Sequence, residues 1–300
     1  MKDIKHILVA SELNKESYEA LTYGITLGLM FDANVSCIHV VKPSPIDIIK
    51  ETFQIGSAKY GEALKNAKEE SQNLLGHIID VIAQDLGIGE VEVDLKIVSG
   101  QLNDSILEYA AKTKSDLVVI GTESGSRFLQ TPHTNLALNL IDIGNTNVLM
   151  IPSDFRMERI EQIGAFINFE VDEIPFIYKL VQLAKKTENG VKCIKVVENR
   201  SEAILAENLL KSFERLFSGE VGSHQVKFEV VIGALPLIVN SVKEVHNIDL
   251  MVIKAHKRHW DMFSSSASFS DRIIKNIKCP LLVWKSTDEV KKIIIKEDRN

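Results

Sequence analysis

The chain has 300 residues, 45% of them hydrophobic and 25% charged, with a net charge of −6. That is ordinary globular composition at a length that fits two domains of about 150 residues each. The acidic balance excludes a nonspecific nucleic-acid binder, which needs a basic surface, and no stretch reaches the roughly 18 consecutive apolar residues of a membrane span.

In chain order, short apolar runs predict strands over 6–11, 35–41, 91–98, 117–121 and 147–152, then over 162–168, 191–197, 225–232, 249–253 and 280–285. Runs such as Leu117-Val-Val-Ile120 are apolar at consecutive positions, so both faces of these strands are expected to be covered, as in a parallel sheet. Between the strands, helical spacing predicts Ser17–Met30, Gly61–Gln84 and Leu102–Thr113, with Asn103-Asp-Ser placed to cap the last of these. The second-half helices are expected at about 171–187, 201–217 and 235–246. Strand–helix alternation with right-handed crossovers gives a doubly wound α/β sheet. Pro43 and Pro45 break regular structure in a 42–60 excursion that carries Ile46, Ile48, Ile49 and Phe53, and residues 152–161 read as a short charged linker. The opening apolar run ends at Glu12, too soon for a secretory signal. Cys37, Cys193 and Cys279 stand apart from any C-x-x-C and read as buried small apolar side chains, which suits a reducing cytoplasm.

The pattern is written twice. Gly100, the Asp116-Leu-Val-Val-Ile120 run and Ile151 recur 133 residues later as Gly233, Asp249-Leu-Met-Val-Ile253 and Trp284. His6-Ile-Leu-Val9 and Cys37-Ile-His-Val-Val41 recur 156 residues later as Gln162-Ile-Gly-Ala165 and Cys193-Ile-Lys-Val-Val197. A period this long means tandem domains rather than a solenoid, with boundaries expected at 1–152 and 153–300. The apolar runs Asn147–Ile151 and Pro280–Trp284 are equivalent final strands. Exposed edges of that kind invite pairing, so the halves are expected to form an intramolecular pseudo-dimer, helped by the effective concentration that covalent linkage provides.

On these residues the chain resembles the universal stress protein family in its tandem form. The resemblance implies two Rossmann-like domains of the adenine nucleotide alpha hydrolase-like type. It also implies an ATP site built from Gly-x₂-Gly-x₉-Gly-Ser/Thr after the fourth strand, with an Asp ending the first. Glycines let backbone N–H groups approach phosphates, and a helix N-terminus favours an anion. In the first half the site implied is Glu12, one methylene longer than Asp, and the backbone of Val41 for the nucleoside. Gly121, Ser124, Gly125, Ser126, Thr134 and Asn135 fall where phosphates would lie. Ser124 and Thr134 add side chains where the family has glycine, so weak binding of ATP or another adenine nucleotide is expected, and no cofactor is required. In the second half Lys254, Lys257 and Ala267 take the glycine positions and Asn168 the acidic one. Lys254, Lys257 and Arg258 are there expected to attract anions without selecting a nucleotide.

Other constellations carry less. His256-x-x-His259 with Asp261 lacks the defined third ligand that zinc needs. Gly121-Thr-Glu-Ser-Gly125 displaces the serine of a nucleophile elbow by one position. Asp116 and Asp249 read as turn or cap residues, and no Gly-Lys-Ser/Thr phosphate loop occurs. No catalytic set emerges, and an ATPase or AMP-forming reading rests on fold analogy alone. Two readings stay open: a cytoplasmic stress-response binding or signalling module with at most one nucleotide site, and a non-nucleotide-binding structural or interaction protein whose excursion meets an unknown protein partner.

Overall fold

The computed structural model describes residues 4–41, 57–122, 136, 140, 146–156, 160–187, 190–218, 226–255 and 279–285. The chain divides into two compact units, Asp3–Met157 and Glu158–Asn300.

The first unit runs β1 (His6–Ser11), α1 (Lys15–Phe31), β2 (Asn34–Val41), α2 (Ser57–Asp85), β3 (Val93–Ser99), α3 (Leu102–Thr113), β4 (Leu117–Thr122) and β5 (Asn147–Pro152). Its strands lie in the order β3-β2-β1-β4-β5, and every pairing is parallel. The central strands are apolar at successive positions because both faces are covered: all six residues of β4 are buried. The edge strand β3 alternates instead, with exposed Asp94 and Lys96 between better-covered neighbours. α1 lies close on the sheet, since a Cβ on Gly24 would overlap the Val9 side chain.

The second unit repeats the plan with β6 (Gln162–Phe166), a 3-10 turn (Val171–Glu173), α4 (Ile174–Thr187), β7 (Gly190–Val197), α5 (Arg200–Phe217), β8 (Val226–Ile232), α6 (Leu235–Val245), β9 (Leu250–Ala255) and β10 (Leu281–Lys285). The order β10-β9-β6-β7-β8 is again all parallel. Its core beside β8 is aromatic. Phe213 stands 5.2 Å from Phe169 and 6.1 Å from Phe228 between ring centroids, and Phe217 stands 5.7 Å from Phe228. Both units are thus the parallel α/β sheets that the apolar runs predicted.

The repeat extends to backbone detail. Leu13 and Phe169, 156 residues apart, both take left-handed backbone (φ 59° and 58°), as do Lys114 and Asn247, 133 apart (φ 53° and 49°). Bulky residues rarely adopt this region, so the same turn is imposed twice. Asp116 accepts the amides of Lys5 and His6 (2.9 and 3.1 Å), and Asp249 those of Glu161 and Gln162 (2.8 and 2.9 Å). The two carboxylates tie the entry of each first strand to the entry of each fourth, which is the cap role read from sequence.

Three expectations shift. Asn103-Asp-Ser does not cap α3: the cap residue is Gln101, without a side-chain bond, and the three lie inside the helix. The helix expected from Gly61 begins at Ser57, so it takes the last residues of the 42–60 excursion. The segment expected as one helix from 171 opens as a 3-10 turn, because the Glu170 and Glu173 side chains close a capping box across it. Ile46, Ile48, Ile49 and Phe53 lie outside the described residues.

Candidate functional site

In each unit the strand order reverses between two central strands, β1 and β4 in the first and β6 and β9 in the second. The crevice at the carboxyl ends of such strands is where open α/β sheets take ligands. β1 pairs with β2 at Ser11–His39 and with β4 at Ala10–Ile120, so Glu12, Val41 and Gly121 come to one edge of one sheet.

The loop after β1 is held by its own side chains. The Glu12 amide donates to Ser17 Oγ at 2.8 Å. Asn14 caps α1 by accepting the Ser17 amide at 2.9 Å. His39 Nδ1 donates to the Ser11 carbonyl at 2.7 Å. Gly121, next to last in β4, lies under the first turn of α1, where a Cβ would overlap the backbone carbonyl of Glu16. Thr122 is buried and donates to the Ile151 carbonyl at 3.3 Å. Ser124, Gly125, Ser126, Thr134 and Asn135 lie outside the described residues.

The second unit builds the same edge from other chemistry. Asn168 stands for Glu12 and Glu173 for Ser17. The Glu173 carboxylate accepts the amides of Asn168 (2.9 and 3.0 Å) and Glu170 (2.9 Å). Burial pushes its carboxyl up from the ordinary range, against the pull of those amides and of Lys254. Lys195, in place of His39, donates from Nζ to the Asn168 carbonyl at 2.8 Å.

Lys254 corrects the sequence reading. It is not a solvated loop cation: it lies in β9, 6% exposed. Its Nζ donates to the carbonyl and the carboxylate of Asp172 at 2.8 and 2.6 Å, which compensates its charge locally. Lys257 and Arg258 lie outside the described residues, as do His256, His259 and Asp261. Among the described residues no group of three or more His, Cys, Asp or Glu is placed to hold a metal, and no helix is long and apolar enough to cross a membrane.

The family model described as "Universal stress protein family" matches residues 3–152. The chain belongs to the universal stress protein family. Universal stress protein MJ0531 of Methanocaldococcus jannaschii is 31% identical over 121 residues, 39% of this chain and 64% of that protein, so the match spans just under two thirds of that relative's length. The crystal structure of a universal stress protein from Archaeoglobus fulgidus DSM 4304 superposes with a TM-score of 0.66 at 13% identity, over 96% of this chain and 98% of that one. The functionally unknown protein PA1789 of Pseudomonas aeruginosa PAO1 gives a TM-score of 0.59 at 15% identity, over 99% and 98%. At these identities the two structures share the universal stress protein fold with this chain, and the likeness is one of fold.

Sequence reasoning missed the residues that shape both crevices. Asn14-x-x-Ser17 and Glu170-x-x-Glu173 are capping patterns that spacing alone can find. The Asp172–Lys254 contact joins positions 82 residues apart and left no local signal.

Proposed function

We propose that this universal stress protein is a cytoplasmic stress-response binding or signalling module, with at most one weak adenine-nucleotide site, in the first unit, and no turnover chemistry. The observation that carries the reading is the convergence of Glu12, Val41 and Gly121 at the β1–β4 switch point, where a nucleoside and the first phosphates would lie. Gly125, Ser126, Thr134 and Asn135 complete the phosphate contacts in this reading, and the side chains of Ser124 and Thr134 keep affinity low. The two functional domains are taken as 1–152 and 153–300, paired through β5 and β10, the apolar terminal strands of the two sheets. Separately expressed halves that fail to associate would end the pairing. Equilibrium dialysis with ATP, ADP and AMP tests the site, with Gly125→Val as the variant that loses binding. Binding undiminished in that variant would move the site elsewhere.

A second reading, an interaction protein without nucleotide, draws on one specific observation. The close approach of α1 accounts for a glycine at 121 with no phosphate in the argument. Dialysis that detects no adenine nucleotide at millimolar concentration would favour it. In either reading the second-unit loop contributes at most Lys257 and Arg258 to a salt-screened attraction for anions, since Lys254 is already paired.

A further inference from the structure

The two units differ at two equivalent positions that face each other. Lys254 replaces Gly121 (254 − 133) and Asp172 replaces Glu16 (172 − 156). Where the first unit leaves no room for a Cβ, the second admits a whole lysine, because the 3-10 turn Val171–Glu173 stands where the first turn of α1 presses down. The lysine side chain, 5% exposed, ends between the β6–β9 switch point and that turn. Its ammonium bonds both oxygens that Asp172 offers it, the backbone carbonyl and a carboxylate oxygen. Glu173 beside it is buried and binds the amides of Asn168 and Glu170.

We propose that Lys254 is the resident occupant of the second unit's crevice, a tethered ammonium that closes it from within and makes it a place for a cation rather than a phosphate. A phosphate entering here has to displace Lys254 from its two bonds and then lies beside the half-exposed Asp172 carboxylate and the buried Glu173 carboxyl group, neither of which offers it a donor. A primary ammonium finds the same two oxygens that Lys254 finds. The second unit therefore holds its strand-end turn without any external ligand, and nucleotide response is confined to the first unit. This last consequence rests on the nucleotide reading given above; the lock itself does not.

Chemical rescue in the full-length chain tests the lock. Lys254→Ala removes three methylenes and the ammonium, the outline of n-propylammonium. The variant is expected to melt earlier than wild type, with amide exchange at Asn168 and Glu170 faster by about tenfold. n-Propylammonium chloride restores both saturably, while n-propanol and sodium chloride at matched concentration do not. Failure of n-propylammonium to restore either quantity, or equal restoration by sodium chloride, overturns the proposal. If Lys254→Ala does not fold, Asp172→Asn carries the test: exchange at Asn168 and Glu170 rises by about tenfold with first-unit exchange unchanged, and unaltered exchange at those two amides overturns the lock. ATP is titrated into wild type in parallel. Absence of protection at Glu12 and Thr122 ends the nucleotide reading alone, whereas protection at Asn168 and Ala255 ends the lock.

Discussion

Gly121 lies against the backbone carbonyl of Glu16, so the end of β4 and the first turn of α1 meet with no side chain between them. The obstacle to a Cβ is main chain, which cannot rotate away as a flexible side-chain tip does. Gly121→Ala should therefore destabilise the first unit by about 2 kcal/mol or more, within or above the usual cost of overpacking. Urea unfolding without nucleotide measures it. A variant as stable as wild type would mean that the helix start yields readily, and Gly121 would then have to be explained by a ligand after all.

Asp116 and Asp249 each satisfy two backbone amides, and the geometry is nearly the same in both units. Asp116→Ala and Asp249→Ala should each cost about 1–3 kcal/mol by leaving those donors without their acceptor. The two values are expected to be similar, and neither variant should change nucleotide binding. Unfolding followed unit by unit would show a marked inequality if the two ties were not equivalent.

His6 contributes to the pH dependence of the first unit. Its Nδ1 lies 2.9 Å from Ser115 Oγ and its Nε2 2.7 Å from Ser36 Oγ, both serines being buried. Burial holds the imidazole below its ordinary value of 6.5, against the upward pull of Asp116 and Asp94. The native state then binds fewer protons than the unfolded chain between the lowered value and 6.5. Its stabilising contribution is complete above the unfolded value and is lost as pH falls through the folded one. His6→Gln installs the residue that already stands at the equivalent position 162. The melting temperature of wild type should fall more than that of the variant between about pH 7.5 and about pH 5, and parallel profiles would remove His6 from the explanation.

In the second unit the aromatic cluster is the packing feature to probe. Phe213 is 6% exposed and touches Phe169, Phe217 and Phe228. Phe213→Ala should cost about 3–5 kcal/mol, as large-to-small changes in a well-packed core do. It should also loosen the left-handed turn at Phe169, whose ring packs against Phe213 and Phe228. Faster amide exchange around Asn168–Glu170 would register that coupling.

Local chemistry explains which parts of this structure were legible in the sequence. Continuous apolar runs located the central strands because burial on both faces leaves no other pattern there, whereas β3 and β8 show charged residues among their apolar ones. The spacing of Asp116 and Asp249 disclosed their shared role because a gapless repeat preserves geometry along with residues. Helix starts were harder: Asn14 lies before α1 in a run of polar residues, and Asn103 looked more cap-like than Gln101, which caps with backbone alone. Lys254 was misread because a lysine next to Lys257 and Arg258 looks like part of one basic loop. Only the fold brings Asp172 to its ammonium, and only the fold shows that it belongs to a strand.

The three cysteines are buried and free. Burial pushes the Cys37 and Cys279 thiols up to about 12 and moves Cys193 upward as well. At neutral pH the reactive thiolate is therefore scarce at all three positions. Oxidants and alkylating reagents have almost nothing to attack until a unit opens. One thiol belongs to the first unit and two to the second. Pulsed alkylation read by peptide mass therefore times the opening of each half separately in the unmodified chain, without an engineered probe. A single cysteine added on the surface could be labelled without first removing the native three.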